Sequence, residues 1–250
     1  MTASLAAVEY VFPSPLIRGV LLERRQRFLA LARLPGGREE TVHCPNSGAM
    51  TGCAEEGMEV ALSHNPGPGR RTAYTWQLSR GGESWICVNT LLANRLVMTA
   101  ARAGVDPWFQ GAGLVRGEVR VSGRSRLDLL VETGRGPCYV EVKSVTLKEG
   151  NLALFPDAVT SRGKRHLDEL MELKAAGKRA LLLFVVNRQD VERFAPAEAI
   201  DPAYAGALAR AARAGVEIAV WQCRVSPEKI SLWREIPCGK EKDLILGQTN

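Results

Sequence analysis

The sequence predicts a two-domain α+β chain, a small all-strand barrel followed by a mixed α/β unit in the order helix, three strands, helix, strand. Three observations predict it. Residues 16–88 read as short strands separated by Gly- and Pro-rich turns. From Asn89 the pattern changes to helical spacing and then alternates between strands and helices. The 250 residues are 46% hydrophobic, enough material for two cores. The expected division is 1–88 for the barrel, 89–238 for the mixed domain and 239–250 for a C-terminal tail.

In the first domain, Leu16–Glu23 and Arg27–Leu34 flank the basic turn Arg24-Arg25-Gln26-Arg27, and Glu39–Cys44 follows the turn Pro35-Gly36-Gly37. Met58–Ser63, Thr72–Ser79 and Ser84–Val88 continue the series. Five or six strands in so short a span suit a small closed barrel, of which the OB-fold is the common Greek-key form and an SH3-like barrel the competitor. Arg24, Arg25 and Arg27 are candidate phosphate contacts on it. Tyr74, Trp76 and Leu78 alternate with period two, so they read as one inward-facing row. The loop His43–Gly52 contains Asn46, Ser47 and two glycines, and reads either as an anion-binding nest of backbone N–H groups or as a structural turn.

The second domain opens with a helix capped at Asn89-Thr90 and stopped at Gly104. A strand over Leu114–Val121 follows, then two alternating runs, Ser125–Glu132 and Cys138–Leu147, joined by Thr133-Gly134-Arg135-Gly136-Pro137 as a β-hairpin. Thr160–Ala176 carries Leu167, Leu170 and Met171 at helical spacing and ends at Gly177. Arg179–Val186 is an unbroken apolar run, as expected of a strand covered on both faces. A helix from Asp201-Pro202 to Gly215, a strand over Val216–Val225 and a short strand over Ile230–Arg234 complete the domain.

The hairpin carries the chemistry. With its turn centred between Gly134 and Arg135, Asp128 lies opposite Glu141 and Arg126 opposite Lys143, all on one face. Leu127, Leu129 and Val131 would face Val140 and Val142 on the other. Two adjacent carboxylates repel unless a cation sits between them, and Mg²⁺ is held by one or two carboxylates plus water and phosphate oxygens. A nearby Lys can position an attacking water and offset developing negative charge. The same four charges also read as an ordinary solvated sheet face with two ion pairs.

Asp128 followed by Glu141-x-Lys143 on a paired strand resembles the PD-(D/E)xK nuclease superfamily, with Leu127 in place of the nominal proline. The order helix, three strands, helix, strand is the αβββαβ core of that superfamily. A narrower resemblance follows from H-C-P-N-S-G-A-M-T-G at His43–Gly52, G-R-S-R-L-D-L-L at Gly123–Leu130, Y-V-E-V-K-S-V-T-L at Tyr139–Leu147, and A-L-F-P-D-A-V-T-S-R-G at Ala153–Gly163 with His166-Leu167. Together these resemble the sugar fermentation stimulation protein A (SfsA) family over nearly the whole chain, with Leu129 where an aromatic residue is expected. The resemblance implies an OB-like N-terminal domain, a nuclease-like C-terminal domain and DNA binding.

On that basis Asp128, Glu141 and Lys143 are the catalytic candidates, with Asp128 and Glu141 holding Mg²⁺ or Mn²⁺ and Glu118 as an extra carboxylate on the preceding strand. Arg126, Arg162 and His166 are candidate contacts to the scissile strand; Arg162 and His166 share a helix face at spacing four. The expected activity is metal-dependent phosphodiester hydrolysis, the alternative a non-catalytic DNA-binding regulator of little sequence preference.

Charge and cysteine usage bound these readings. The net charge of +6 and pI near 9.1 favour an anionic partner. Six scattered cysteines without a C-x-x-C, beside three histidines, argue against a zinc finger or a disulfide framework and for reduced thiols in a cytosol. No apolar run reaches membrane-spanning length, and Met1–Tyr10 lacks the features of a signal peptide.

Overall fold

The structure, a computed structural model, describes residues 4–105, 107–121 and 125–239. Strand β1 (Glu9–Val11) leads into β2 (Ile17–Arg25), β3 (Leu29–Arg33), β4 (Glu39–His43), β5 (Glu59–His64), β6 (Tyr74–Gly81) and β7 (Ser84–Cys87). Strands β2 to β7 pair in the order β4-β3-β2-β5-β6-β7. A parallel pairing of Val42 with Tyr74 and His43 with Thr75 joins β4 to β6 and closes five strands into the expected OB-type barrel. Gly36 and Gly37 both take positive φ, near +82° and +84°, which is why the β3–β4 reversal needs glycine. Leu21, Val42, Leu62, Trp76 and Ile86 fill the barrel, each at most 1% exposed.

The row Tyr74, Trp76, Leu78 does not face one way. Leu62 pairs with Trp76 and Ala61 with Leu78, so Gln77 is an extra residue in the ladder. The bulge reverses the alternation: Trp76 stays in the barrel core, while Leu78 enters the core of the second domain. Gln77 is left at the seam, where its Oε1 accepts from Nδ2 of Asn89 at 2.8 Å.

The second domain comprises α1 (Thr90–Arg102), β8 (Val115–Arg120), β9 (Arg126–Thr133), β10 (Gly136–Val145), β11 (Leu147–Glu149), β12 (Leu152–Phe155), α2 (Ser161–Ala175), β13 (Arg179–Val186), β14 (Arg193–Pro196), α3 (Pro202–Arg213), β15 (Glu217–Val225) and β16 (Lys229–Glu235). Its seven-stranded mixed sheet has the order β1-β16-β15-β13-β10-β9-β8. Helix α1 packs on one face and α2 with α3 on the other. The apolar run of β13 divides between the two faces as its period requires: Leu181, Leu183 and Val185 to one core, Leu182, Phe184 and Val186 to the other.

Several expectations need correction. Strand β1 pairs with β16, so the N-terminal segment completes the second domain's sheet and does not belong to the barrel. Strands β11, β12 and β14 form a separate three-stranded sheet that no alternation announces, because each has only three or four residues. The hairpin keeps the expected register from Thr133–Gly136 to Leu129–Val140, where the ladder stops one step short of an Asp128–Glu141 pair. Leu127 lies in the α2/α3 core while Leu129 and Val131 lie in the α1 core, so the row of three leucine and valine side chains is split across the sheet. Beyond residue 239 the expected tail lies outside the described residues, as do Asp106 and Gly123-Arg124 of the hairpin motif.

Caps position the helices that matter for the site. The Asn89 side chain accepts from the N–H of Leu91 to start α1, and Thr160 accepts from the N–H of Gly163 to start α2. Thr160 also donates its own N–H to Asp201, the N-cap of α3, which locks the two helix starts together.

Candidate active site between the two domains

A cavity of about 620 Å³ lies between barrel and mixed domain. The barrel contributes Arg27 and the loop Asn46–Ala49, α1 contributes Thr90, Leu91 and Asn94, and the sheet contributes Asp128, Glu141 and Lys143. Residues 154–162, leading into α2, form the remaining wall.

Asp128 stands where β9 and β10 part. Its Oδ2 accepts the backbone N–H of Val142 at 2.8 Å, and its Oδ1 accepts from Nδ2 of Asn94 at 2.8 Å. Burial and then the neighbouring Glu141 push its carboxyl up to about 6, against the opposing effect of the Val142 N–H. Glu141 is 3% exposed. Burial alone would raise its carboxyl, yet Lys143 and His166 outweigh that and hold it below the ordinary range.

Both of those partners use one oxygen. Lys143 Nζ donates to Glu141 Oε1 at 2.6 Å, and Nδ1 of the buried His166 contacts the same Oε1. Lys143 Nζ lies 3.3 Å from His166 Nδ1, and because an ammonium only donates, the imidazole that donates Nδ1–H to Glu141 leaves this as a contact and not a hydrogen bond. Glu141 Oε2 is buried with no hydrogen-bond partner. A bare buried carboxylate oxygen, on a residue close enough to raise the carboxyl of Asp128, is costly on its own and is well matched to a cation. Among the described residues no three His, Cys, Asp or Glu side chains gather as a ready-made metal cage. Two carboxylates facing an open cavity suit a hard ion that completes its shell with water and phosphate oxygens.

The remaining candidates separate. Glu118 and Arg126 pair with each other at 3.2 Å with side chains 81% and 59% exposed, and neither lines the cavity. The positive φ of Glu118 kinks β8 at that point, so alternation along the strand does not carry its carboxylate to Asp128. Arg24 is a scaffold residue, since its guanidinium donates to the carbonyls of Asn46, Gly48 and Ala49 and is not free for phosphate. Arg25 is exposed and paired with Glu23. Arg27 and Arg162 do line the cavity. His166 points inward to Glu141 and braces it, while Arg162, four residues earlier, remains exposed.

Two contributors were not singled out by the sequence. Asn94 reaches Asp128 from α1, a long-range contact with no local signal. Asp157 accepts the N–H of Met50 at 2.8 Å, so the wall before α2 is fastened to the barrel loop. The loop itself is polarised by Arg24. A trans peptide directs its N–H opposite to its C=O, so with the carbonyls of Asn46 and Gly48 turned to Arg24, the amides of Ser47 and Ala49 face the other way. Residues 47–49 line the cavity.

Comparison with known proteins fits this architecture. A family model described as the SfsA N-terminal OB domain matches residues 22–88, and one described as the sugar fermentation stimulation protein RE domain matches residues 91–229. The sugar fermentation stimulation protein homolog of Geobacter sulfurreducens is 49% identical over 227 residues, covering 91% of this chain and 97% of that one. The homolog of Pelobacter propionicus is 48% identical over 223 residues, covering 89% and 97%. The solved structure of Pyrococcus furiosus SfsA in complex with Ca²⁺ superposes with a TM-score of 0.85 at 30% identity, covering 92% of this chain and 98% of that one. With both domain models matched in order along its length, the chain belongs to the sugar fermentation stimulation protein family.

Proposed function

We propose that this protein is a divalent-metal-dependent nuclease of the PD-(D/E)xK type, acting on DNA in the cytoplasm. The observation that carries the reading is the unpartnered, buried Oε2 of Glu141, a residue that lines one cavity together with Asp128, Arg27 and Arg162. A Ca²⁺ complex of the Pyrococcus relative supports a hard-cation site in the family. Asp128 and Glu141 would hold Mg²⁺ or Mn²⁺, which supplies charge neutralisation at the phosphate and a more acidic water.

The chain's own groups do the rest. Arg27, Arg162 and the outward amides of Ser47 and Ala49 hold phosphate oxygens and set the strand's direction. Lys143, already desolvated beside Glu141, orients the attacking water and offsets charge on the phosphoryl oxygens. The water oxygen forms its bond to phosphorus and releases a proton to solvent as the bond to the departing sugar oxygen breaks, and that oxygen takes up a proton from solvent. His166 holds Glu141 in place from behind and is a positioning residue.

Incubation of the full chain with supercoiled, linear and single-stranded DNA in Mg²⁺ or Mn²⁺ tests the reading. Cleavage should need the ion and disappear in Lys143→Ala. No cleavage with either ion, or cleavage unchanged by that substitution, overturns the hydrolase; DNA retention in EDTA without cleavage would mark a binding protein.

A further inference from the structure

The large apolar side chains left in solvent are not scattered evenly. Seven stand out among the described residues, and two of them, Leu91 and Val159, line the cavity that holds Asp128 and Glu141. Phe28, the last residue of the β2–β3 turn, is the chain neighbour of Arg27, which lines the cavity, although Phe28 itself does not. Their exposures of 66%, 76% and 50% are high for residues with no role. Single exposed apolar residues need no explanation, but two on the lining of one charged cavity, with a third beside its Arg27, do.

The three come from three different elements: the barrel turn, the first turn of α1 and the segment before α2. Arg27 stands beside Phe28, and Arg162 lies three residues beyond Val159. Leu91 and Val159 thus share one cavity lining with Arg27 and Arg162. A duplex presents phosphates and sugars outward and keeps its base faces stacked inside, so it offers these side chains little. An unpaired strand exposes both, and its bases stack or pack on apolar side chains while its phosphates meet arginine.

We infer that this cavity selects unpaired nucleic-acid strands over intact duplex, with Phe28, Leu91 and Val159 taking base faces while Arg27 and Arg162 take phosphates. The inference rests on the nucleic-acid part of the proposed function and is independent of whether the site cleaves.

The test is fluorescence anisotropy of the full chain at fixed salt, in EDTA and again in Ca²⁺, with a labelled fifteen-residue oligothymidylate, an abasic strand of the same phosphate number and a duplex of the same length. Single strand should bind about tenfold tighter than either of the others, in line with the magnitude of base stacking on proteins. The double substitution Phe28→Ala with Val159→Ser should cost about fivefold or more on the single strand and leave the abasic affinity within error. Circular dichroism checks that the variant is folded, and the abasic comparison needs no variant at all. Equal affinity for normal and abasic strands, or duplex as tight as single strand, overturns the inference and leaves the hydrolase standing. A single-strand preference without cleavage in Mg²⁺ or Mn²⁺ sinks the hydrolase and supports the inference. No binding to any form overturns both.

Discussion

Asp128 completes a hydrogen bond that the backbone of its own hairpin does not make: its carboxylate accepts the N–H of Val142, two residues beyond the last position at which β10 pairs with β9. The side chain is therefore both a wedge between β9 and β10 and a ligand-type carboxylate. Removing it exposes the two roles separately. In Asp128→Asn the side-chain oxygen can still accept from Val142, so the fold should be kept while cleavage falls to background. In Asp128→Ala the Val142 N–H loses its partner, and urea denaturation should show about 1–3 kcal/mol of destabilisation.

The raised carboxyl of Asp128 makes stability pH-dependent in the metal-free protein. Its ordinary value is 3.8 and burial beside Glu141 lifts it to about 6, so the folded state binds this proton more tightly than the unfolded state does. Its contribution is fully present below the unfolded value and is lost as pH rises through 6, a change of the order of 2–3 kcal/mol. Glu141, whose carboxyl is lowered, acts in the opposite sense: its contribution is present above its unfolded value and is lost as pH falls through the folded one. Urea midpoints measured in EDTA from pH 4 to 7 should fall with rising pH in the parent chain, and Asp128→Asn should remove that slope. An unchanged slope in the variant would assign it to another group.

A hard cation bound only by the folded state must raise its stability by mass action. At a hundredfold excess over its dissociation constant, Mg²⁺ or Mn²⁺ should add about 2.7 kcal/mol. The rise in melting temperature should vanish in Glu141→Gln, which neutralises the oxygen left without a partner. It should survive in Lys143→Ala, where both carboxylates remain.

Legibility in the sequence followed the length of each signal. The apolar run of β13 appeared with its expected ends, Arg179 and Val186, because eight alternating residues with both faces buried leave little freedom. The OB-type barrel was readable from its turns, yet the bulge at Gln77 was not, since a one-residue insertion leaves Trp76 and Leu78 looking like neighbours on one face. Asp128, Glu141 and Lys143 were readable because their types and spacing are local to one hairpin. Asn94 and Asp157 act across 34 and 107 residues, distances over which no periodicity speaks. The inward turn of Arg24 was not readable for a related reason: a basic turn looks the same whether its guanidinium faces solvent or the carbonyls of its own barrel.

Lys143 is coupled to Glu141 at 2.6 Å and sits with little solvent around it, so its charge is held in a fixed place before any substrate arrives. Preorganised charge of this kind typically contributes a factor of about 10²–10³ to turnover when a single donor is removed. Lys143→Ala should lower kcat by about that factor, with strand affinity in EDTA changed far less. Lys143→Arg should recover little, because the planar guanidinium cannot reproduce a compact donor between Glu141 and His166. Single-turnover cleavage beside anisotropy separates the two effects.

Gly48 and Asp157 set how closely barrel and mixed domain approach at the cavity. A Cβ at Gly48 would stand 2.6 Å and 3.0 Å from the two carboxylate oxygens of Asp157, and 3.1 Å from Oδ1 of Asn46. That carboxylate cannot simply swing away, since it holds the Met50 N–H. Gly48→Ala should therefore cost about 1–3 kcal/mol, measured by urea denaturation, and weaken strand binding by displacing the amides of Ser47 and Ala49. Asp157→Ala removes the obstacle together with its hydrogen bond. In that background Gly48→Ala should cost at least about 1 kcal/mol less than in the parent, the non-additivity expected of two residues in direct contact. Additive costs would show that the loop yields without meeting Asp157, and that the close approach of the two domains does not depend on a glycine at position 48.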